Sequence, residues 1–245
     1  MQTLTLSLAD LSIAFIPVVA VIWLMWRNAY PIKKPLIALA RMLLQLLLVG
    51  YFLVYIFAQN SPFIILTMLS IMMLAASWIA LNVVEQRTMV LFFSVFIALL
   101  FGGGSILFII TQGVMHISPW YQAKTMIPLA GMIFASSMTG ISIALERLNS
   151  ETANQQIQQQ TIANHTYQIS FQAAMIPVVN TMFAVGVVAL PGMMTGQILS
   201  GVAPYIAARY QIMVMCMIFS ATGLSVYLFL HLHQRLLAHK RPVQS

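Results

Sequence analysis

Apolar stretches about 20 residues long recur along this chain, and that recurrence constrains its fold more than any other feature. A helix of that length rises about 1.5 Å per residue and so spans roughly 30 Å, the thickness of the hydrocarbon core of a bilayer. Seven such stretches occur, at approximately residues 6–26, 36–57, 63–84, 89–111, 126–145, 173–201 and 211–231. They use up most of the 245 residues and leave no room for an extramembrane domain. With 61% hydrophobic and only 6% charged residues, the chain has too little polar surface to coat a water-soluble globule. The expected fold is therefore all-α, a polytopic integral membrane protein of about seven transmembrane helices forming one domain over residues 1–245. Trp23, Trp26 and Trp120 sit near the ends of apolar runs, where amphipathic rings favour the bilayer interface. The first run does not read as a cleavable signal peptide, because no Lys or Arg precedes it.

Lys and Arg set the expected orientation. With the N-terminus outside, the inner connections hold Arg27, Lys33, Lys34, Arg41, Arg87, Arg147, Arg235, Lys240 and Arg241, whereas the outer ones hold only Lys124 and Arg209. This asymmetry predicts an external N-terminus and an internal C-terminus. The net charge of +7 is then a topology signal rather than a nucleic-acid footprint, since no compact basic face lies outside the membrane. The single cysteine, Cys216, excludes an internal disulfide.

Several chemistries are excluded. No G-x-x-x-x-G-K-[ST] motif occurs, and the run 101–105 (Phe-Gly-Gly-Gly-Ser) lacks the lysine that would reach a phosphate, so the chain does not hydrolyse ATP by itself. Its glycines, with Gly186 and Gly201, suit close helix packing instead. Ser136 and Ser137 lie within a span with no histidine at similar depth to act as a base, so a membrane protease is disfavoured. Eighteen methionines, among them Met193, Met194, Met213, Met215 and Met217, offer soft ligands to a thiophilic ion, although Met is more often an adaptable apolar filler. The histidines are scattered over loops and the tail, and no catalytic group or cofactor motif emerges.

Polar residues within spans are few. Arg41 and Gln45 share a helical face near the inner end of the second span, and Glu85 and Glu146 close the third and fifth spans on the same side. The cluster 190–196 (Leu-Pro-Gly-Met-Met-Thr-Gly) breaks the sixth run, with Asn180, Thr181 and Gln197 flanking it. Backbone that leaves helical geometry at membrane depth must be packed in protein or line a polar path. Asn180, Pro191, Gly192, Met193, Met194, Thr195, Gly196 and Gln197 are accordingly the candidate path or hinge. The competing reading is a proline kink accommodated by neighbouring helices.

Three segments resemble the FetB family of ABC transporter permeases: 40–51 (Ala-Arg-Met-Leu-Leu-Gln-Leu-Leu-Leu-Val-Gly-Tyr), 127–133 (Ile-Pro-Leu-Ala-Gly-Met-Ile), and 190–201 followed by 210–214 (Tyr-Gln-Ile-Met-Val). The similarity covers nearly the whole chain. It implies an inner-membrane permease, half of a homodimeric pore, bound to a separate ATP-binding cassette subunit and working by alternating access. Bacterial relatives are linked to iron export and plant relatives to aluminium tolerance.

The chain departs from that family in three places. An Asp and a Lys three residues apart, usual upstream of the Pro-Gly block, are replaced by Asn180 and Phe183. Phe134-Ala135-Ser136-Ser137 stands where relatives show Gly-Asn. The Gln-rich inner segment from Arg147 to Gln172, read as a polar and partly helical loop, has a shortened coupling region, expected at 162–167 with Ile162 and Tyr167 as the docking residues. The alternatives are a secondary transporter or channel that needs no ATP, and a non-transporting membrane scaffold.

Overall fold

In the computed structural model of the protein the described backbone covers residues 8–58, 61–84, 87–157 and 164–240. It divides into two units, one ending at Ala58 and the other beginning at Gln59. The first unit holds α1 (Leu8–Ile13), α2 (Phe15–Arg27) and α3 (Lys33–Ala58). Ala14 interrupts the first apolar run, so α1 and α2 replace the single helix expected there. Arg27 lies over the Trp23 ring at 5.4 Å, a cation–π contact at the charged end of α2.

The second unit is a bundle of α4 (Pro62–Ala80), α5 (Met89–Ala98), α6 (Gly104–Phe108), α7 (Ala123–Ile157), α8 (Asn164–Ala184), α9 (Gly192–Leu199) and α10 (Pro204–Lys240). Pro62 opens α4, where a missing N–H costs nothing, and Thr88 caps α5 by accepting from the Leu91 N–H at 3.3 Å. The long central helices α7 and α10 pack on each other, and α8, α4 and α5 lie against them. Phe229, Ile133, Ile141, Leu145 and Met217 are fully buried along that seam.

Five helices are long and apolar enough to cross a membrane: 33–57, 62–83, 89–114, 123–152 and 204–236, with 11–27 a shorter apolar helix. The spans 33–57, 62–83 and 89–114 lie close to their expected runs, whereas 123–152 and 204–236 extend well past the expected 126–145 and 211–231. The protein is thus an all-helical, multi-pass membrane protein.

Two expectations are corrected. The run 173–201 is broken, as its Pro-Gly cluster predicts, but the non-helical stretch is 185–191, and the rest of the cluster, from Gly192, is helical. Helix α8 begins earlier, at Asn164, and stops at Ala184, where Val188 N–H and Ala189 N–H both donate to the Ala184 carbonyl at 2.8 and 3.1 Å. Gly186 takes φ +86° in the turn, a conformation that an L side chain rarely adopts. Leu190 is pushed toward extended backbone by the proline that follows it, and Pro191 caps a new helix with φ −60° and ψ 145°. The second correction concerns the inner loop. Helix continues through α7 to Ile157 and resumes at Asn164, which leaves only 158–163 between them. Glu, Gln and Ala are good helix formers, and the Arg147–Glu151 ion pair at 2.8 Å adds an i,i+4 link.

The segment 89–114 carries two π-helical turns, Leu99–Gly103 and Ile109–Val114. The first brings Gly102 against α10 so closely that a Cβ built on it would lie 2.6 Å from the Ser225 backbone N. Close packing expected of the glycine run 102–104 therefore holds at Gly102, and at Gly103, whose added Cβ would meet Ile133 at 2.9 Å. It does not hold at Gly186 and Gly201, which stand in open space and serve their turns through positive φ.

Candidate functional site

The break after α8 is a compact turn rather than a kinked helix. Val185 and Ala189 form an isolated bridge, and Gly186 N–H donates to the Ala189 carbonyl at 3.0 Å. Thr195 Oγ1 donates back to the Pro191 carbonyl at 3.2 Å, sharing that acceptor with the Thr195 N–H at 3.0 Å in the first turn of α9. Gly192 and Gly196 have nothing within 4 Å of an added Cβ, so neither is needed for close approach within this chain. Pro191, Met193, Met194, Thr195 and Gln197 are half-buried, and α9 rests on α10. The apolar turn stands out from the bundle, with Val187 90% and Val188 82% exposed.

Asn180 and Thr181 do not join that turn. They lie on the open face of α8, with Thr181 Oγ1 donating back to the Pro177 carbonyl at 2.8 Å. Thr181 instead lines a groove of about 260 Å³ between α7, α8 and α10. Its α7 wall is Ser136, Thr139, Gly140 and Ile143; its α8 wall is Ala174, Pro177, Val178 and Thr181; Met215 and Ile218 form the floor. Both walls repeat at i, i+3, i+4 and i+7, the spacing of one helical face. Ser136 and Thr222 hydroxyls are 2.8 Å apart and link α7 to α10 at its edge. Gly140 permits this contact, since a Cβ there would fall 2.7 Å from Thr222 Cγ2. The sequence alone offers Ser136 and Ser137 as disfavoured nucleophiles and as a departure from the family pattern, and does not reveal the groove. The signal was the matching spacing of small and hydroxyl residues on the two helices.

At the other end of the same helices a second groove, of about 520 Å³, opens between α8 and α10. Tyr167, Gln168, Phe171 and Gln172 line one side, and Tyr227, His231 and Gln234 the other. His231 stacks on Tyr227, with ring centroids 6.1 Å apart and planes 8° from parallel. Tyr167, expected as a docking residue, is half-buried in this groove, while Ile162 lies outside the described residues.

Arg41 and Gln45 are both exposed, one helical turn apart on α3. Glu146 is exposed on α7 beside the Arg147–Glu151 pair, and Glu85 lies outside the described residues. Where α4 ends, Arg87 donates to Asn82 Oδ1 at 2.6 Å and lies over the Trp78 ring at 5.1 Å, so this arginine has a built place. Among the described residues no group of three His, Cys, Asp or Glu side chains is placed to hold a metal ion.

Long apolar helices with hydroxyl-lined grooves between them define a multi-pass membrane protein. The chain belongs to the family described as Uncharacterised protein family (UPF0014), whose model matches residues 8–237. It is 35% identical over 219 residues to the UPF0014 membrane protein slr1647 of Synechocystis, covering 84% of this chain and 83% of that one. It is 38% identical over 197 residues to the UPF0014 membrane protein YjkA of Bacillus subtilis, covering 74% and 75%. It is 31% identical over 241 residues to the probable iron export permease protein FetB of Escherichia coli, covering 92% and 90%. No solved structure matches the chain.

Proposed function

We propose that this protein is the membrane-spanning permease subunit of an ABC transporter, that it exports a metal ion such as iron, and that a separate ATP-binding subunit supplies the energy. The carrying observation is similarity over 92% of the chain to a relative named as a probable iron export permease. In this reading seven segments cross the inner membrane: the five long apolar helices, the segment 11–27, and α8. The N-terminus is outside and the C-terminus inside, a reading supported by the asymmetry of the basic residues.

The protein works as a homodimer, and the ATP-binding subunits grip it where α7 and α8 project. Helix α7 has 35 residues, about 52 Å of helix, well beyond a hydrocarbon core of about 30 Å. A rigid projection of this kind can transmit a rigid-body motion that a solvated coil cannot. Tyr167, at the start of α8, anchors the contact. ATP-driven closure tilts the helices, and the turn between α8 and α9, with Pro191 and Gly192, absorbs the change in angle.

Co-expression with the ATP-binding subunit tests this. The two should co-purify, and proteoliposomes containing both should move ferrous iron only with ATP. Equal movement by the permease alone would favour a secondary transporter or channel.

A further inference from the structure

We propose that the groove between α7 and α8 is one half of the translocation path and that a second copy of this chain supplies the other half. This rests on the permease reading and assigns its cargo path to a face and a chemistry. Thr139 stands at the middle of the apolar stretch 123–152, and it is exposed. Across the groove Thr181 is exposed as well, and beside it on the open face of α8, outside the groove's lining, Asn180 is exposed with its side chain making no hydrogen bond among the described residues. A carboxamide without a partner is costly against hydrocarbon, and the two hydroxyls, although each donates to a carbonyl one turn back, turn their lone pairs outward. A symmetric partner presents the same groups in return and encloses them between the two copies.

The groove offers acceptors. Thr139 Oγ1 donates to the Ala135 carbonyl at 2.9 Å and Thr181 Oγ1 to the Pro177 carbonyl at 2.8 Å, so both hydroxyl protons are engaged and their lone pairs remain. Pro177 has no N–H, which leaves the Ala173 carbonyl without its helical hydrogen bond on the same face. Met215 adds a thioether at the floor. No charged side chain lines the groove. Such a path passes a cation by replacing its water with neutral oxygens, without holding it as carboxylates would.

The test uses the full chain with its ATP-binding subunit, in native membranes, with the exposed Cys216 replaced by Ala. Thr181→Cys should be cross-linked into a dimer by short bifunctional maleimides and modified by a charged, membrane-impermeant thiol reagent. Trp78→Cys, exposed on α4, should show neither. In proteoliposomes loaded with ferrous iron, Thr139→Val with Thr181→Val should slow export by about tenfold, the scale of one lost polar contact, and Thr139→Ser with Thr181→Ser should restore it. An unreactive Thr181→Cys that forms no dimer, cross-linking through Trp78→Cys instead, or undiminished export by the valine pair each overturns the proposal. If the wild type exports no iron with its ATP-binding subunit bound, the permease reading fails, and the cross-linking result still decides whether this face meets a second copy.

Discussion

A methyl group at Gly102 would overlap the Ser225 backbone, because that neighbour is main chain and cannot swing away. Gly102→Ala should therefore destabilise the bundle by about 1–3 kcal/mol, the usual cost of overpacking a tight seam. Thermal unfolding in detergent would register it as a lower midpoint, and an unchanged midpoint would mean that α10 can retreat. Gly192 is the contrast. Open space surrounds it, so Gly192→Leu should leave insertion and thermal stability close to wild type. If the turn before α9 bends during transport, the same variant should still abolish export, because the bulk meets a moving or partner surface. Normal transport by Gly192→Leu would show that the turn is a static connection.

At the scale of elements, the proposed contact with an ATP-binding subunit rests on the extension of α7 beyond residue 152 and on the first turns of α8. Tyr167 is the aromatic best placed to serve as an anchor, since it sits half-buried against α10 with its groove still open. Tyr167→Ala should weaken co-purification with the ATP-binding subunit by about thirtyfold, the equivalent of roughly 2 kcal/mol at an interface hot spot. Asn149→Ala, exposed on the α7 extension, should leave assembly unchanged. Equal retention by both variants would remove Tyr167 from the interface. In α8 the first half carries the polar residues Asn164, His165, Thr166, Gln168, Ser170 and Gln172, so hydropathy places the start of the run near 173, whereas the helix begins at Asn164.

For the whole molecule the testable quantity is topology. In a Cys216→Ala background, Ser61→Cys should react with a membrane-impermeant thiol reagent from outside, and Ser150→Cys only after the membrane is opened. External labelling at Ser150 would reverse the orientation and with it the side on which an ATP-binding subunit can dock. Ser150 suits the test, being exposed on the α7 extension.

The span pattern was legible in the sequence because a bilayer imposes a length and a polarity on every crossing, and local composition carries both. Residues 33–57, 62–83 and 89–114 show this, each lying close to its expected run. The turn at 185–191 was legible only as a break. Whether Pro191 kinks one helix or separates two depends on which carbonyls the backbone can reach, and only the folded chain shows them meeting at Ala184. Grouping of the polar residues was the least legible. Asn180 and Thr195 are 15 positions apart in sequence and seemed to share one path, yet the turn places them on different helices. Thr181 and Ser136 are far apart in sequence and line the same groove. Side-chain spacing along one helix is a local property, whereas the choice of facing helix is set by tertiary packing, here by glycines at 102 and 140 that let α10 come close.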